Sequence, residues 1–547
     1  MRKYCLLLIS GFFSVSAFCQ SSLTANPSSL NAGVVYENAP DSLPLTLRNI
    51  LNDTVHIQEI RFYDIYESTP FSTSVQPFAL APGDSQTIYV RFSPMHNISH
   101  NTEMVVFTDG NRGDLSIDLR GQGKYSNTYY NSTENLSEEA LKTALKTRLA
   151  QGYVQLSYNA IRDEMFMNVD NKKVNGQGAA VNTLECIYTG FNITNYPDRT
   201  NAQLMGFNTE HTWPQSLFSQ NLPMRSDMYH LFPTRETANT QRSNLPFGVV
   251  TNIAWQDGGS KRGDGVFEPR DEHKGTTARA MFYFVVRYQN YLNFLDNQEA
   301  ILRQWHKTFP PTAINRQRNE DIAAIQNNRN PFIDYPQFVD RITSLSANSV
   351  APAVTKLEMT DSEIAFDTLK IMDDAVYGFV IVNTGNQAIN LTNITAGDAR
   401  LTFDNITGGT ATIPPGDAFN LLVRLNTTAG GTVNTTIDFS TNAAGNASVS
   451  IPVTAEIIDN TALGDELTAS VRVYPNPARQ AFVIQINDQY RYSSNYRIFH
   501  PGGQMIASGT LQSPETTVNL EGWTSGIYII QVNIGNQSLV QRVIVDR

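Results

Sequence analysis

FNTEHTWPQS (Phe207–Ser216) and SDMYHLFPTRETANTQRSN (Ser226–Asn244) decide how the centre of this chain folds. The first has an apolar lead-in, Leu204, Met205 and Phe207, as expected of a strand. It breaks at Glu210-His211 and ends at Pro214, which cannot continue a hydrogen-bonded ladder. The second opens with an apolar run, Met228–Phe232, that stops at Pro233. From Thr234 or Arg235 a helix is expected through Ala238, Asn239 and Arg242, breaking near Pro246. Strand, loop, strand and helix then form one compact unit, with a His at the mouth of a hairpin and an amide side chain on the helix behind it.

The residue types suit phosphoester chemistry. Glu210 and Asn239 offer hard oxygen donors, which Mg²⁺ prefers and which Mn²⁺ or Ca²⁺ also accept; two protein ligands leave coordination positions for water and phosphate. His211 titrates near neutrality and can take a proton from an attacking water. Adjacent residues on a regular strand point to opposite faces. Either the strand is irregular here, or Glu210 turns to the metal while His211 reaches the phosphate from beside it. His230, one strand away, is read as a phosphate binder, as an orienting group or as structural. Asp227 is read as a brace for the hairpin, with a metal role as the alternative.

Four ordered motifs resemble the endonuclease I family of ββα-metal (His-Me finger) nucleases: EHTWPQS, DMYHLFPTRETANTQRSN, FEPRDEHKGTTARAMFYFVVRY (Phe267–Tyr288) and NRNPFIDYP (Asn328–Pro336). The resemblance implies His211 as general base and Glu210 and Asn239 as metal ligands. It implies Arg242 and Asn244 as supports of the active-site helix. The family's phosphate-binding Arg lies between the His and the second strand, where Arg225 is the only Arg. Many relatives carry His-Asn where this chain has Tyr229-His230, and Gly-Glu where it has Glu236-Thr237. The implied activity is secreted, metal-dependent, sequence-nonspecific hydrolysis of DNA, and of RNA as an extension, leaving 5′-phosphates.

At 547 residues the chain is too long for one core. Its net charge of −11 is awkward for a nucleic-acid enzyme. The charge is unevenly placed: Lys124–Leu345 holds 23 Lys and Arg against 22 Asp and Glu, so the acid lies in the flanks. Met1–Cys19 reads as a signal peptide, with Arg2 and Lys3 before an apolar stretch. Cys186 is then alone in the mature chain, which excludes an intramolecular disulfide or a Cys-based zinc site. Between Leu184 and Ile187 it reads as buried. No run is long and apolar enough to span a membrane.

The flanks read as β. Residues 23–124 carry strand candidates Leu45–Ile50, Val55–Phe62, Ser85–Phe92, Met104–Thr108 and Leu115–Leu119, punctuated by turns, as in an immunoglobulin-like sandwich. Arg112-Gly113-Asp114 matches a receptor-binding tripeptide, but chance explains it better. Residues 351–458 read as a second sandwich, since PPGDAFNLLVRL echoes the first module's APGDSQTIYVRF. Asp459–Glu466 reads as a linker. Residues 469–547, with YPNPA at Tyr474–Ala478 and GIYIIQV at Gly526–Val532, resemble the C-terminal sorting domain of type IX secretion in Bacteroidetes. That resemblance implies a secreted or cell-surface location, reached through the secretion machinery.

The expected architecture is multidomain: an α+β nuclease core at residues 125–345 with a ββα-metal motif, between two all-β sandwiches, and a C-terminal β-sandwich. A monomer is expected. Helices are expected from a Ser137 cap to Leu149, and over Tyr158–Asn168, Thr277–Leu292, Glu299–Lys307 and Asn319–Asn327. His273, in the loop before the long helix, reads as surface. Residues 257–264, with Lys261 and Arg262 among glycines, read first as a flexible solvated loop, then as a calcium or phosphate loop. The aromatics Trp213, Tyr229 and Phe232 read as core. The rival function is a surface adhesion protein with an inactive nuclease core. Hydrolysis of another phosphoester or of peptide lacks a motif, since no HExxH is present.

Overall fold

The computed structural model describes residues 23–65, 69–109, 113–289, 294–458, 471–487, 494–534 and 537–546. The expected signal peptide, with Cys5 and Cys19, and the expected linker lie outside them. The N-terminal unit is two facing sheets. One orders Leu23–Asn26, Asp41–Asn49, Ser85–Phe92 and Phe71–Ser72; the other orders Ser29–Tyr36, Leu115–Lys124, Ser99–Thr108, Val55–Asp64 and Phe78–Leu80. Alternate residues of Ser85–Phe92 (Ile88, Val90, Phe92) enter the core, as period-two patterning requires. Leu23–Asn26 and Ser29–Tyr36 were not among the expected strands; the latter pairs in parallel with Leu115–Lys124.

The sandwich after the nuclease repeats this strand order throughout, with Leu357–Met359 standing for Leu23–Asn26 and Ala418–Leu425 for Ser85–Phe92. The two Pro-Gly-Asp echoes therefore precede equivalent strands. The two sandwiches touch. Val105 packs with Val380 and Val382, and Gly113 bridges Gly378. Gly113 has φ +76°, and a Cβ there would lie 2.0 Å from the Gly378 carbonyl oxygen, so glycine is required at this approach. Asp114 is buried against the second sandwich, so its carboxylate is not displayed to a receptor; Arg112 lies outside the described residues. A small β-sandwich of two antiparallel sheets closes the chain at residues 471–546.

Between the sandwiches lies one large core built on helices α1 (Glu138–Ala150), α2 (Tyr158–Glu164), α3 (Arg199–Leu204), α4 (Glu236–Arg242), α5 (Asp271–Tyr288), α6 (Glu299–Thr308), α7 (Ala313–Gln326) and α8 (Pro331–Asp334). Helix α5 is buried nearly all round, through Ala278, Met281, Phe284 and Val285. It starts six residues earlier than expected, because Asp271 and Glu272 suit a first turn. That shift carries His273 from the expected surface into the interior, where it is 5% exposed and packs edge-on against Phe232 and Tyr188. The Ser137 side chain makes no capping bond to α1, contrary to expectation. Helix α2 passes into a π-turn at Met165–Val169, and α7 begins six residues before the expected start.

Residues 257–264 are not a free loop. They belong to a meander of Ile253–Asp257, Ser260–Gly263 and Val266–Glu268. Asp264 accepts the Thr251 and Asn252 amides, and Gly258 packs so tightly on Thr189 that a Cβ would lie 2.0 Å from its carbonyl oxygen. Cys186 is fully buried; its Sγ accepts the Arg235 amide at 3.2 Å. Among the described residues no helix is long and apolar enough to cross a membrane.

Candidate active site

The hairpin pairs Phe207–His211 with Leu231–Arg235, setting Glu210 opposite Phe232 and His211 opposite Leu231. The second strand runs through Pro233, where the sequence suggested a stop. A two-stranded ladder leaves one edge of each strand unpaired, so the missing proline N–H costs nothing there, and the Pro233 carbonyl accepts from the Ile187 amide at 3.1 Å. Met228–His230 is a single 3₁₀ turn before the strand. Helix α4 follows and packs on both strands.

The register is unbroken at Glu210-His211, and the two side chains diverge as strand geometry demands. On one side, His211 is 6% exposed and its Nε2 lies 3.4 Å from the Arg225 carbonyl oxygen. A carbonyl only accepts, so Nε2 carries the proton and Nδ1 the basic lone pair. Burial, with His230 next, pushes the His211 pKa well below the ordinary imidazole value. The ring is therefore neutral at neutral pH. Tyr158 lies 5.7 Å from it and His230 5.6 Å, centroid to centroid.

On the other side, Glu210 is 2% exposed. Its Oε1 accepts the Tyr188 hydroxyl at 2.7 Å and lies 2.9 Å from Arg242 Nε, an ion pair whose N–H is not aimed along that line. Burial raises the Glu210 pKa, while Arg242 and Tyr188 oppose the rise. Arg242 is wholly buried. It donates to the Thr212 and Ser243 carbonyls at 2.6 and 2.8 Å and stacks over Phe247. Asn239 is partly buried on α4, and its amide nitrogen lies 3.5 Å from the Thr209 carbonyl oxygen, at the limit of a hydrogen bond.

These donors fit a hard divalent cation. No hydrogen bond among the described residues engages Glu210 Oε2 or Asn239 Oδ1, so one carboxylate oxygen and one amide oxygen remain available beside each other's elements. No cluster of three or more His, Cys, Asp or Glu suited to a metal occurs among the described residues, so any cation must also draw on water and substrate.

The remaining predicted residues divide. Asp227 is a buried hub: it accepts the Tyr283 and Tyr288 hydroxyls at 2.8 and 2.7 Å and the Gln326 amide at 3.1 Å. It braces the turn that carries His230. His230 Nε2 donates to the Met224 carbonyl at 2.6 Å, and its ring packs among Phe218, Phe284 and His211. That turn holds the backbone that leads to the Arg225 carbonyl. Arg225 is partly exposed, with its guanidinium 4.3 Å above the Tyr158 ring. Asn244 is exposed beyond α4, with no side-chain hydrogen bond among the described residues. Trp213, Tyr229 and Phe232 are core, and Trp213 stacks on Phe284 at 4.7 Å. Sequence reasoning missed Tyr188, Tyr158 and Arg162. Tyr158 and Arg162 share one face of α2 at i, i+4, a spacing that was available to read.

The family profile described as Endonuclease I matches residues 137–337. A HYDIN/CFA65/VesB-like Ig-like domain matches 21–122, and a secretion system C-terminal sorting domain matches 472–546. The extracellular ribonuclease of Bacillus subtilis (strain 168) is 30% identical over 214 residues, covering 36% of this chain and 71% of that protein. The extracellular ribonuclease of Bacillus amyloliquefaciens is 29% identical over 213 residues, again 36% and 71%. The periplasmic deoxyribonuclease of Aeromonas hydrophila is 28% identical over 116 residues, covering 20% of this chain and 48% of that protein.

Proposed function

Since this chain belongs to the endonuclease I family and is a nuclease bearing a type IX sorting domain, we propose that it hydrolyses internal phosphodiester bonds of extracellular DNA and RNA without sequence preference, with His211 as general base. The observation that carries this reading is the His211 environment: a neutral imidazole whose Nε2–H is tied to the Arg225 carbonyl, leaving Nδ1 to take a proton.

In this reading a water beside the phosphate gives its proton to His211 Nδ1 as its oxygen attacks phosphorus. The P–O3′ bond breaks, and the departing 3′-oxygen takes a proton from a solvent water, leaving a 5′-phosphate and a 3′-hydroxyl. The Arg225 carbonyl stabilises the imidazolium that forms. Glu210 and Asn239 would hold Mg²⁺, with Mn²⁺ or Ca²⁺ as substitutes. The cation would neutralise charge on the phosphorane and the leaving oxygen. Arg242 and Tyr188 fix the Glu210 carboxylate, while Asp227 and His230 fix the turn before the second strand. RNA is included because the Bacillus relatives are named ribonucleases and the Aeromonas ones deoxyribonucleases.

The test is cleavage of supercoiled plasmid and of a structured RNA by the full chain with Mg²⁺, Mn²⁺, Ca²⁺ or EDTA, beside His211→Ala. Nicking that EDTA and the substitution both abolish is expected. No cleavage of either substrate with any metal, from folded protein, would overturn the proposal.

A further inference from the structure

Helix α2 brings an unpaired cation to the catalytic face. Arg162 is 9% exposed, and its Nε donates to Thr209 Oγ1 at 3.0 Å, one residue before Glu210. Its guanidinium lies 5.0 Å from the centre of the Tyr158 ring, and that of Arg225 lies 4.3 Å from the same ring. Tyr158 in turn flanks His211. One aromatic ring therefore contacts two guanidiniums and the candidate general base.

Neither arginine has a carboxylate within 4.0 Å among the described residues, whereas neighbouring Arg199 pairs with Asp163, Arg235 with Asp257 and Arg242 with Glu210. Arg225 Nε is buried without a hydrogen-bond partner. Burial holds the Arg162 pKa below its ordinary value, and the Arg199 and Arg225 charges lower it further while Tyr158 and Asp163 oppose them. Burying the Arg162 guanidinium without a carboxylate is costly, and the partly exposed Arg225 guanidinium on the same ring repels it. The Thr209 bond and the Tyr158 ring offset part of that cost, but neither neutralises the two charges. An anion shared by both would.

We propose that Arg162 and Arg225, aligned on Tyr158, form a two-pronged clamp for consecutive backbone phosphates, with Arg162 taking the phosphate next to the scissile one. The assignment rests on the nuclease reading above and extends it from one phosphate to two. Arg162 would touch substrate through its free guanidinium nitrogens, while Nε stays on Thr209. Tyr158 is a positioning residue that holds both prongs by cation–π contact. A substrate with one phosphate would then fill half the site. The clamp selects a polynucleotide backbone over a mononucleotide or a terminal phosphate, which is an endonuclease's discrimination.

The experiment measures binding of a fluorescein-labelled DNA duplex to the full chain by anisotropy across a salt series in EDTA, where no hydrolysis is expected. Wild type, Arg162→Met, Arg162→Lys, Arg225→Met and Tyr158→Leu are compared. Arg162→Met should weaken binding by about tenfold or more and flatten the plot of log K against log salt by about 0.9. Arg162→Lys should restore the slope, which a purely structural role would not require. Tyr158→Leu should weaken binding with Thr209 and Arg162 intact. With metal present, Arg162→Met should raise KM for plasmid more than for a dinucleotide. An unchanged salt slope for folded Arg162→Met would overturn the clamp. If that variant does not fold, wild-type affinity in Tyr158→Leu would overturn it instead. Because binding is read without metal, loss of the clamp and loss of cleavage are separate results.

Discussion

Replacing Arg242 by Met tests how the site keeps a carboxylate inside the protein. Arg242 has no exposed side-chain surface and Glu210 keeps 2% of its own. Removing one partner of a buried ion pair costs about 3–5 kcal/mol, because the other charge is left uncompensated. Part of that sum is the loss of the donors that serve the Thr212 and Ser243 carbonyls. For a region of this size each kcal/mol moves the melting temperature by about 2–4 °C, so a fall of roughly 6–20 °C is expected. Trp213, Trp255 and Trp305 lie in the nuclease region and only Trp523 in the last sandwich, so tryptophan fluorescence of the full chain in EDTA follows the right transition. Glu210→Gln added to Arg242→Met removes the stranded charge and should recover about 1 kcal/mol or more. The deficit has a defined pH sign. Burial already raises the Glu210 pKa, so the folded state binds the proton more tightly than the unfolded state does. Losing Arg242 widens that gap, so the destabilisation grows as pH rises through the folded value and shrinks in acid. A double variant no more stable than Arg242→Met, or a deficit flat in pH, would refute the reasoning.

Three further outcomes follow from the same geometry. The acid limb of the kcat/KM profile should lie below pH 6.5, since His211 must be neutral to act and its pKa is depressed; a limb above that value would contradict the buried base. The contact between the two large sandwiches should weaken as pH rises from about 4.5 to about 8. Buried Glu103, facing Asp118 and Asp417, has its pKa pushed up by burial to about 8, and Asp114, beside Asp361, to about 7. Their folded states bind protons that the unfolded chain has lost, and hydrogen exchange in the Val105 and Val380 strands at pH 6 and 9 would report it. Gly113→Ala should open the same contact, read as faster exchange at Gly378, because the new Cβ meets a carbonyl at 2.0 Å.

The hairpin of Phe207–His211 and Leu231–Arg235 is legible in the sequence because its signals are local. Apolar run, Pro214, apolar run and helix follow one another within one unit, and the Pro-Gly-Asp echoes sit before strands that occupy equivalent places in two sandwiches. What it hid came from contacts between distant segments. Nothing near Glu210 reveals that Tyr188 and Arg242 would claim one of its oxygens, and nothing near His211 points to a ring fifty residues earlier. His273 was misjudged by six residues of helix start, enough to turn a surface side chain inward. Residues 257–264 were misread for a different reason. Gly258-Gly259 between two short apolar or basic runs is a hairpin signal, and glycine abundance there marks a tight turn, not looseness. The strand through Pro233 shows tertiary pairing overriding a local stop.

The contact between the two sandwiches has a consequence for the segment they bracket. Because Gly113 meets Gly378 and Val105 meets Val380, the nuclease enters and leaves the flanking pair at nearby points, like a loop closed by a clasp. While the clasp holds, the melted nuclease is a ring and not an open chain, and its disorder is smaller. A covalent link closing a loop longer than a hundred residues is worth about 5 kcal/mol on chain-entropy grounds. A chain whose only Cys beyond residue 19 is Cys186 has no such link, and its β-sandwiches do the work of a crosslink without sulfur.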